Sequence, residues 1–349
     1  MVIFRITMRR SGRNNCITDV SGIKVGHYTD RKILSGVTVI ATEDGAVGGV
    51  DVRGGAPGTR ETDLLDPVNM IEKVNAVVLC GGSAYGLCAA DGVMRRFEEK
   101  GIGHPVGEGR VVPIVPAAVI FDLGRGEVKG RIEEKAGYDA LASASSDPVP
   151  NGNIGAGTGA ISGGVKGGLG SSSEVLGNGI TVGALAVVNS TGSAFDPETG
   201  GFYTRHLELN KEFASIASDI PIGVPAYTRL QPVFGQHTTI GVVATNARVT
   251  KSQASKLAQM AQDGLARAIY PSHTMFDGDV IFSLATGCTT LPEDEMRYDL
   301  SPNRAFSLLG ACAADCFSRA VIHAILAADS IQGFQCYRER YKVGLILEK

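Results

Sequence analysis

Phe234-Gly235-Gln236-His237-Thr238-Thr239-Ile240-Gly241-Val242-Val243-Ala244-Thr245-Asn246 is the stretch on which the reading of this chain turns. A glycine-containing loop runs into two threonines, and the β-branched, apolar residues after them read as a short buried strand with the threonine pair at its mouth. If the peptide bond before Thr238 were cut, the new chain would begin with a hydroxyl nucleophile that carries its own base, the freed α-amine. Such an amine has a pKa of about 7.7 to 8.0, so near neutral pH an appreciable fraction can take the hydroxyl proton. A threonine inside a chain has no such base. Strand propensity also accounts for a Thr-Thr pair, so the stretch alone leaves a structural and a chemical reading open.

The composition narrows the setting. A chain of 349 residues can form one large domain or two smaller ones and bury a core without disulfides or metals. With 20% charged residues and a formal net charge of -3 it has no electrostatic footprint for nucleic acid or acidic membranes. The 46 glycines are interleaved with Val, Ile and Ala, which implies tight turns and close backbone approaches in a packed fold. Seven cysteines, Cys16, Cys80, Cys88, Cys288, Cys312, Cys316 and Cys336, include no CxxC pair and no partners at zinc spacing, so free thiols in a reducing cytoplasm are expected. Residues 1–10 lack the order of a secretory signal, and no stretch approaches the roughly 18 apolar residues of a membrane span; a soluble, intracellular chain is expected.

Outward from Thr238, Thr250-Lys251-Ser252-Gln253 has capping-box spacing, and Ala254, Leu257, Ala258, Ala261, Leu265 and Ala268 make one helical face. Asp277-Gly278-Asp279 stands before the buried strand Val280 to Gly287; two carboxylates there either form a plain turn, bind a cation or tune a nearby amine. Asn303 to Asp329 reads as a long core helix that includes Cys312, Cys316 and His323. Upstream, Pro221 to Gln236 has three prolines and little periodicity, so a mobile segment is expected before Thr238. Ile180 to Val188 is a buried strand ending at Asn189, whose amide either begins a turn or offers donors to an oxyanion.

The run Gly155 to Gly170 imitates a dinucleotide fingerprint, but Pro148 to Asn153 before it cannot be the required strand. Its glycines surround Lys166, which fits a pocket-facing cation as well as a solvated one. Gly81-Gly82-Ser83-Ala84-Tyr85 marks a tight turn from the strand Ala76 to Cys80 into a helix, with Tyr85 looking into a pocket and Ser83 not a nucleophile. The loop Arg53 to Thr62 either cradles an anion or is a surface turn, with the surface turn favoured.

Taken together, Asp19 to His27, Gly81 to Leu87, Gly155 to Gly159, Lys166 to Gly168, Thr238-Thr239-Ile240 with Ala244-Thr245-Asn246, and Asp277 to Asp279 resemble the self-processing hydrolases of the DmpA type. These include L-aminopeptidase/D-esterases, β-peptidyl aminopeptidases and 6-aminohexanoate (nylon) oligomer hydrolases. The resemblance runs from about Ile17 to Asp329 in order. It implies an α/β fold, a four-layer αββα sandwich of the DmpA/ornithine acetyltransferase type, made as a precursor that cuts itself at His237-Thr238. Residues 1–16 would be an N-terminal extension, 17–237 the α-subunit part and 238–349 the β-subunit part of a single hydrolase domain. Matched motif to motif, Thr238 would be the nucleophile, Asn189 would stabilise the oxyanion, and Lys166 would hold the nucleophile's surroundings. Asp277 and Asp279 would act near the new α-amine, and Tyr85 would line the substrate pocket.

No metal or organic cofactor is implied; the substrate would be a small peptide, amide or ester, and the assembly a tetramer or larger oligomer of processed heterodimers. His237 is a departure, since relatives of this type usually carry Asn or Gly there; an imidazole either slows self-cleavage or assists it by moving a proton. Two alternatives stay open, an acyl transferase like the ornithine acetyltransferases and an unprocessed binding protein.

Overall fold

A computed structural model of the chain describes residues 9–176, 179–216, 220–225, 237–291 and 302–342. The expected mobile segment before Thr238 falls largely on 226–236, outside the described residues. In chain order the elements begin with β1 (Lys24–Asp30), β2 (Ser35–Val52), β3 (Thr59–Arg60), β4 (Lys73–Cys80) and α1 (Ala89–Glu98). Next come β5 (His104–Gly107), β6 (Arg110–Val112), β7 (Ala117–Val119), α2 (Glu134–Ala142), β8 (Ile161–Ser162), β9 (Val165–Lys166), β10 (Gly168–Val175) and β11 (Thr181–Asn189). From Thr238 onward lie β12 (Thr238–Ala247), α3 (Lys251–Ala268), β13 (Val280–Thr289), α4 (Pro302–Leu326) and α5 (Tyr337–Arg340).

The long strand β2 makes the layers. Its first half pairs with β1 and β4, its second half with β13, and a register shift between Ala41 and Ala46 separates the two. Gly45 supplies a positive φ of 74° at that point, which lets the strand bend as bulged strands do. The nine-stranded sheet runs β10-β11-β12-β13-β2-β4-β7-β3, with β1 paired to β2. One apolar core joins its β11–β12 side to α3 and α4, and another joins β2 and β4 to α1 and α2. A third core lies between the two halves and holds Ile40, Leu79, Leu185, Val187, Ile240, Val242 and Phe282. Alternation along each strand feeds two cores at once, which is why these strands are apolar on both faces. The layering is the αββα sandwich.

Local signals behave as their chemistry requires. Thr250 caps α3, accepting from the Gln253 N–H at 3.2 Å while Gln253 Oε1 accepts from the Thr250 N–H at 2.9 Å. Residues 303–326 are long and apolar enough to cross a membrane by length and composition, a property that the sequence reading did not credit to this helix. Its buried residues pack on the sheet, and Arg319 and His323 on α4 both bond Glu212. His323 thus belongs to an ionic cluster and is only partly buried, which corrects its placement in the apolar core.

Candidate active site

Three strand ends and one loop converge where β12 begins. Because β12 is parallel to β13, starting with Ile240 beside Val280, residues 277–279 arrive at the same edge as Thr238. β11 is antiparallel to β12 and ends there, with Asn189 directly opposite Thr238. Opposed residues on antiparallel strands project to the same face, so the amide and the hydroxyl share one side of the sheet. The end of β2, paired through Val52 with Val280, delivers the loop Arg53–Pro57 to that edge.

Thr238 is buried, and its hydroxyl donates to the carbonyl oxygen of His237 at 2.5 Å. The same oxygen accepts from the Gly278 N–H at 3.1 Å. Gly278 has no room for a side chain, since a Cβ there would lie 2.9 Å from Thr238 Oγ1 and 2.6 Å from the Ala56 carbonyl. The carbonyl before Thr238 is thus held by one backbone donor and touched by the adjacent hydroxyl.

The two carboxylates are buried and bonded. Asp279 accepts from the Thr239 N–H at 2.8 Å and, on its other oxygen, from the N–H of His273 at 2.9 Å. That second oxygen also lies 2.9 Å from His273 Nδ1. Asp277 accepts from the Thr191 N–H at 3.1 Å and from the Thr274 hydroxyl at 2.5 Å. His273 has a φ of +55°, a costly conformation for a side-chain-bearing residue and one that its two contacts with Asp279 hold in place. The loop before β3 backs this wall: the Arg53 and Gly54 N–H groups donate to the Asp279 carbonyl and the Ala56 N–H to the Asp277 carbonyl. Its arginines turn elsewhere, Arg53 to Asp51 and Arg60 to Asp91. The loop therefore meets the site with backbone, not with an anion-binding pair of guanidiniums.

Lys166 is fully buried, and its ammonium donates to the carbonyls of Gly157 at 3.0 Å and Gly167 at 2.7 Å. Burial drives its pKa down to about 7, the nearby Arg125 adds to the shift, and Asp122 and Asp329 oppose it. It adjoins the Asn189 end of the site, since β9 pairs with β8 and the Ile161 N–H of β8 donates to Asn189 Oδ1 at 3.0 Å. Tyr85 stands apart. Its ring is exposed, with the Arg131 guanidinium 4.0 Å from its centroid, and the turn that carries it approaches the site through the Gly82 N–H bond to Asp122.

Sequence reasoning passed over Gly278 as a backbone donor, and over His273 and Arg125. An Asp122-x-x-Arg125 pair just after the buried run Ile114 to Ile120 was the available signal for the last of these. Among the described residues no cluster of His, Cys, Asp and Glu could hold a metal ion.

A sandwich of this layering is the Ntn-hydrolase fold. The solved L-aminopeptidase D-Ala-esterase/amidase of Ochrobactrum anthropi, a variant of that fold, superposes with a TM-score of 0.71 at 22% identity, over 95% of this chain and 96% of that one. The chain belongs to peptidase family S58, whose model matches residues 15–338, and it is by that membership a hydrolase of amide bonds. It is 46% identical to an uncharacterized aminopeptidase of Mycobacterium leprae over 93% of each chain. It is also 29% identical to the 6-aminohexanoate-oligomer endohydrolase of Kocuria sp., over 91% of this chain and 88% of that one.

Proposed function

We propose that the chain is a self-processing threonine hydrolase in which Thr238 is both the site of maturation and the nucleophile. The observation that carries this reading is the pair of contacts on the His237 carbonyl oxygen, 2.5 Å from the Thr238 hydroxyl and 3.1 Å from the Gly278 N–H. In maturation the hydroxyl adds to the His237 carbonyl carbon, and the Gly278 N–H holds the oxyanion. The C–N bond breaks, the nitrogen takes a proton, and the acyl group sits as an ester on Thr238 Oγ1 until water releases it. The freed α-amine then serves as base for turnover, with Asp277 and Asp279 setting its position.

In turnover the hydroxyl attacks the substrate carbonyl, an acyl-enzyme forms and the amine leaves; water then releases the acid. Asn189 contributes a donor to the oxyanion, and Lys166 fixes the glycine-lined wall beside it. Substrates are short peptides or linear amides; the resemblance to an aminopeptidase and to an oligomer endohydrolase supports both α-amino and ω-amino acid units. Mature α/β pairs are expected to assemble into a homo-oligomer in the cytoplasm.

The test is the mass of the purified chain under denaturing conditions, with N-terminal sequencing of the fragments. Two pieces are expected, one beginning Thr-Thr-Ile-Gly-Val, and Thr238→Ala should remain one chain without activity. A Thr238→Ala protein that still cuts or still hydrolyses aminoacyl anilides would sink the assignment. If the parent stays intact, His237→Asn separates a blocked maturation site from a wrong nucleophile.

A further inference from the structure

The amide of Asn189 has a definite polarity here, and a half-buried cation sets it. Asn189 Oδ1 accepts from Arg125 Nη1 at 2.6 Å and from the Ile161 N–H at 3.0 Å, so both of its lone-pair directions are used. With the oxygen fixed, the end of the amide left to face other groups is Nδ2, whose described bond is a long one to the Phe121 carbonyl at 3.4 Å. One N–H of that group remains for a ligand.

An oxyanion needs donors, and an asparagine turned the other way would present it with a carbonyl oxygen. Arg125 is well suited to prevent that turn. Its guanidinium has donors and no acceptor, so it accepts contact only from the oxygen end of the amide. The same Nη1 also bonds the Gly159 carbonyl, which gives it a second anchor. Burial lowers the Arg125 pKa only to about 10, with Asp122 opposing the shift, so the group stays cationic at neutral pH.

We infer that Arg125 is a positioning residue for turnover, holding the Asn189 amide with its N–H toward the carbonyl that Thr238 attacks. The inference rests on the reading of Thr238 and Asn189 given above. It also separates the two reactions of the site. The His237 carbonyl in the uncut chain is held by the Gly278 N–H, so loss of Arg125 should weaken turnover more than maturation.

The experiment is a double-mutant cycle on Arg125→Met and Asn189→Ala, run with the aminoacyl para-nitroanilide that the parent turns over fastest. Rates are divided by the amount of Thr238 N-terminus, so that incomplete maturation does not count. Arg125→Met should lower kcat by about 100-fold, the scale of one lost oxyanion donor, with KM within about threefold. In the Asn189→Ala background the same change should cost little more, because the residue through which it acts is gone. Arg125→Lys, which keeps a donor and the charge, should recover part of kcat.

Losses that multiply, an Arg125→Met kcat within about threefold of the parent, or a loss carried wholly by KM, would overturn the inference. If Arg125→Met does not fold, the cycle is run with Arg125→Ala, which likewise leaves no donor on the Asn189 oxygen, and the same signs decide it. Thr238→Ala is measured alongside. Turnover surviving in Thr238→Ala refutes the nucleophile, whereas an inactive Thr238→Ala beside a fully active Arg125→Met refutes only the positioning role.

Discussion

The cluster around Glu212 and the wall around Thr238 both bury charge, and they dispose of it in opposite ways. Glu212 takes Arg319 Nε at 2.6 Å, Arg319 Nη2 at 2.9 Å, His323 Nε2 at 2.7 Å and the Asn15 amide at 2.6 Å. Arg319 and His323 both meet the Glu212 carboxylate, and the remaining Arg319 nitrogen, Nη1, donates to the Ser173 carbonyl at 3.0 Å. Burial pushes the Glu212 carboxyl up, but the hydrogen bonds from His323 and Arg319 outweigh it and bring the pKa to about 2. At the Thr238 wall no acid among the described residues bonds Lys166 directly; its partners there are two backbone carbonyls, and its pKa falls to about 7. Burial of charge alone therefore does not distinguish a site from a clamp. The distinction lies in whether the charges cancel one another or remain poised. Glu212 precedes Thr238 and Arg319 and His323 follow it, so the clamp joins the two pieces that maturation would produce.

The largest effect that could break this contrast is a matched pair of substitutions. Arg319→Met removes one partner of a buried ion cluster and should cost about 3 to 5 kcal/mol in urea unfolding, because Glu212 is left buried and underpaired. Lys166→Met removes a buried ammonium that has no direct acidic partner among the described residues, so its unfolding midpoint should be no lower than the parent's while hydrolysis falls by at least about 100-fold. If both variants lose stability alike, Lys166 belongs to the architecture and the contrast fails.

Dependence on pH sharpens the same contrast, with opposite limbs. The folded Glu212 pKa of about 2 lies below the 4.5 of a free carboxyl, so its contribution is present above about pH 4.5 and is lost as pH falls toward 2. The shift corresponds to about 3 kcal/mol. The folded Lys166 pKa of about 7 lies below the ordinary 10.5, so between those values the unfolded chain binds more protons and stability rises with pH. Urea midpoints across both windows should show an acid limb that Glu212→Gln flattens and an alkaline rise that Lys166→Met flattens. A parent profile without either limb would show that the two groups are not perturbed by folding.

Much of the site was legible where a local rule fixed the outcome. The glycines around Lys166 leave a buried and a solvated ammonium both open, and the fold buries it against two backbone carbonyls, while Asp277-Gly278-Asp279 leads into a buried strand that the residues after it announce. The capping box of α3 follows from four residues alone. Register was not legible: that Asn189 faces Thr238 depends on pairing two strands 49 residues apart, and no single stretch records it. Arg125 and His273 stayed hidden for the same reason, since each acts through a residue distant in sequence or on a different loop turn. Tyr85 shows the converse. Its motif matched, and the fold gives its ring an exposed place under Arg131.

The smallest effects lie within one loop and separate its backbone from its charges. A Cβ on Gly54 would stand 2.2 Å from the Asp279 nitrogen and 2.3 Å from the Asp277 carbonyl oxygen, both backbone atoms that cannot swing aside. Gly54→Ala should therefore cost about 1 to 3 kcal/mol and displace the two carboxylates, lowering hydrolysis as well. Its neighbour should matter far less. The Arg53 guanidinium is bonded to Asp51 at 2.6 Å with 42% of its side chain exposed, and a pair of that kind contributes at most about 1 kcal/mol. The Arg53 N–H that bonds the Asp279 carbonyl survives in Arg53→Ala, so unfolding should shift by less than about 1 kcal/mol and the rate by less than about twofold. A tenfold rise in KM for Arg53→Ala would mean that the guanidinium meets the substrate. The loop would then be an anion cradle after all, and the division between a backbone wall and its idle charges would have to be redrawn.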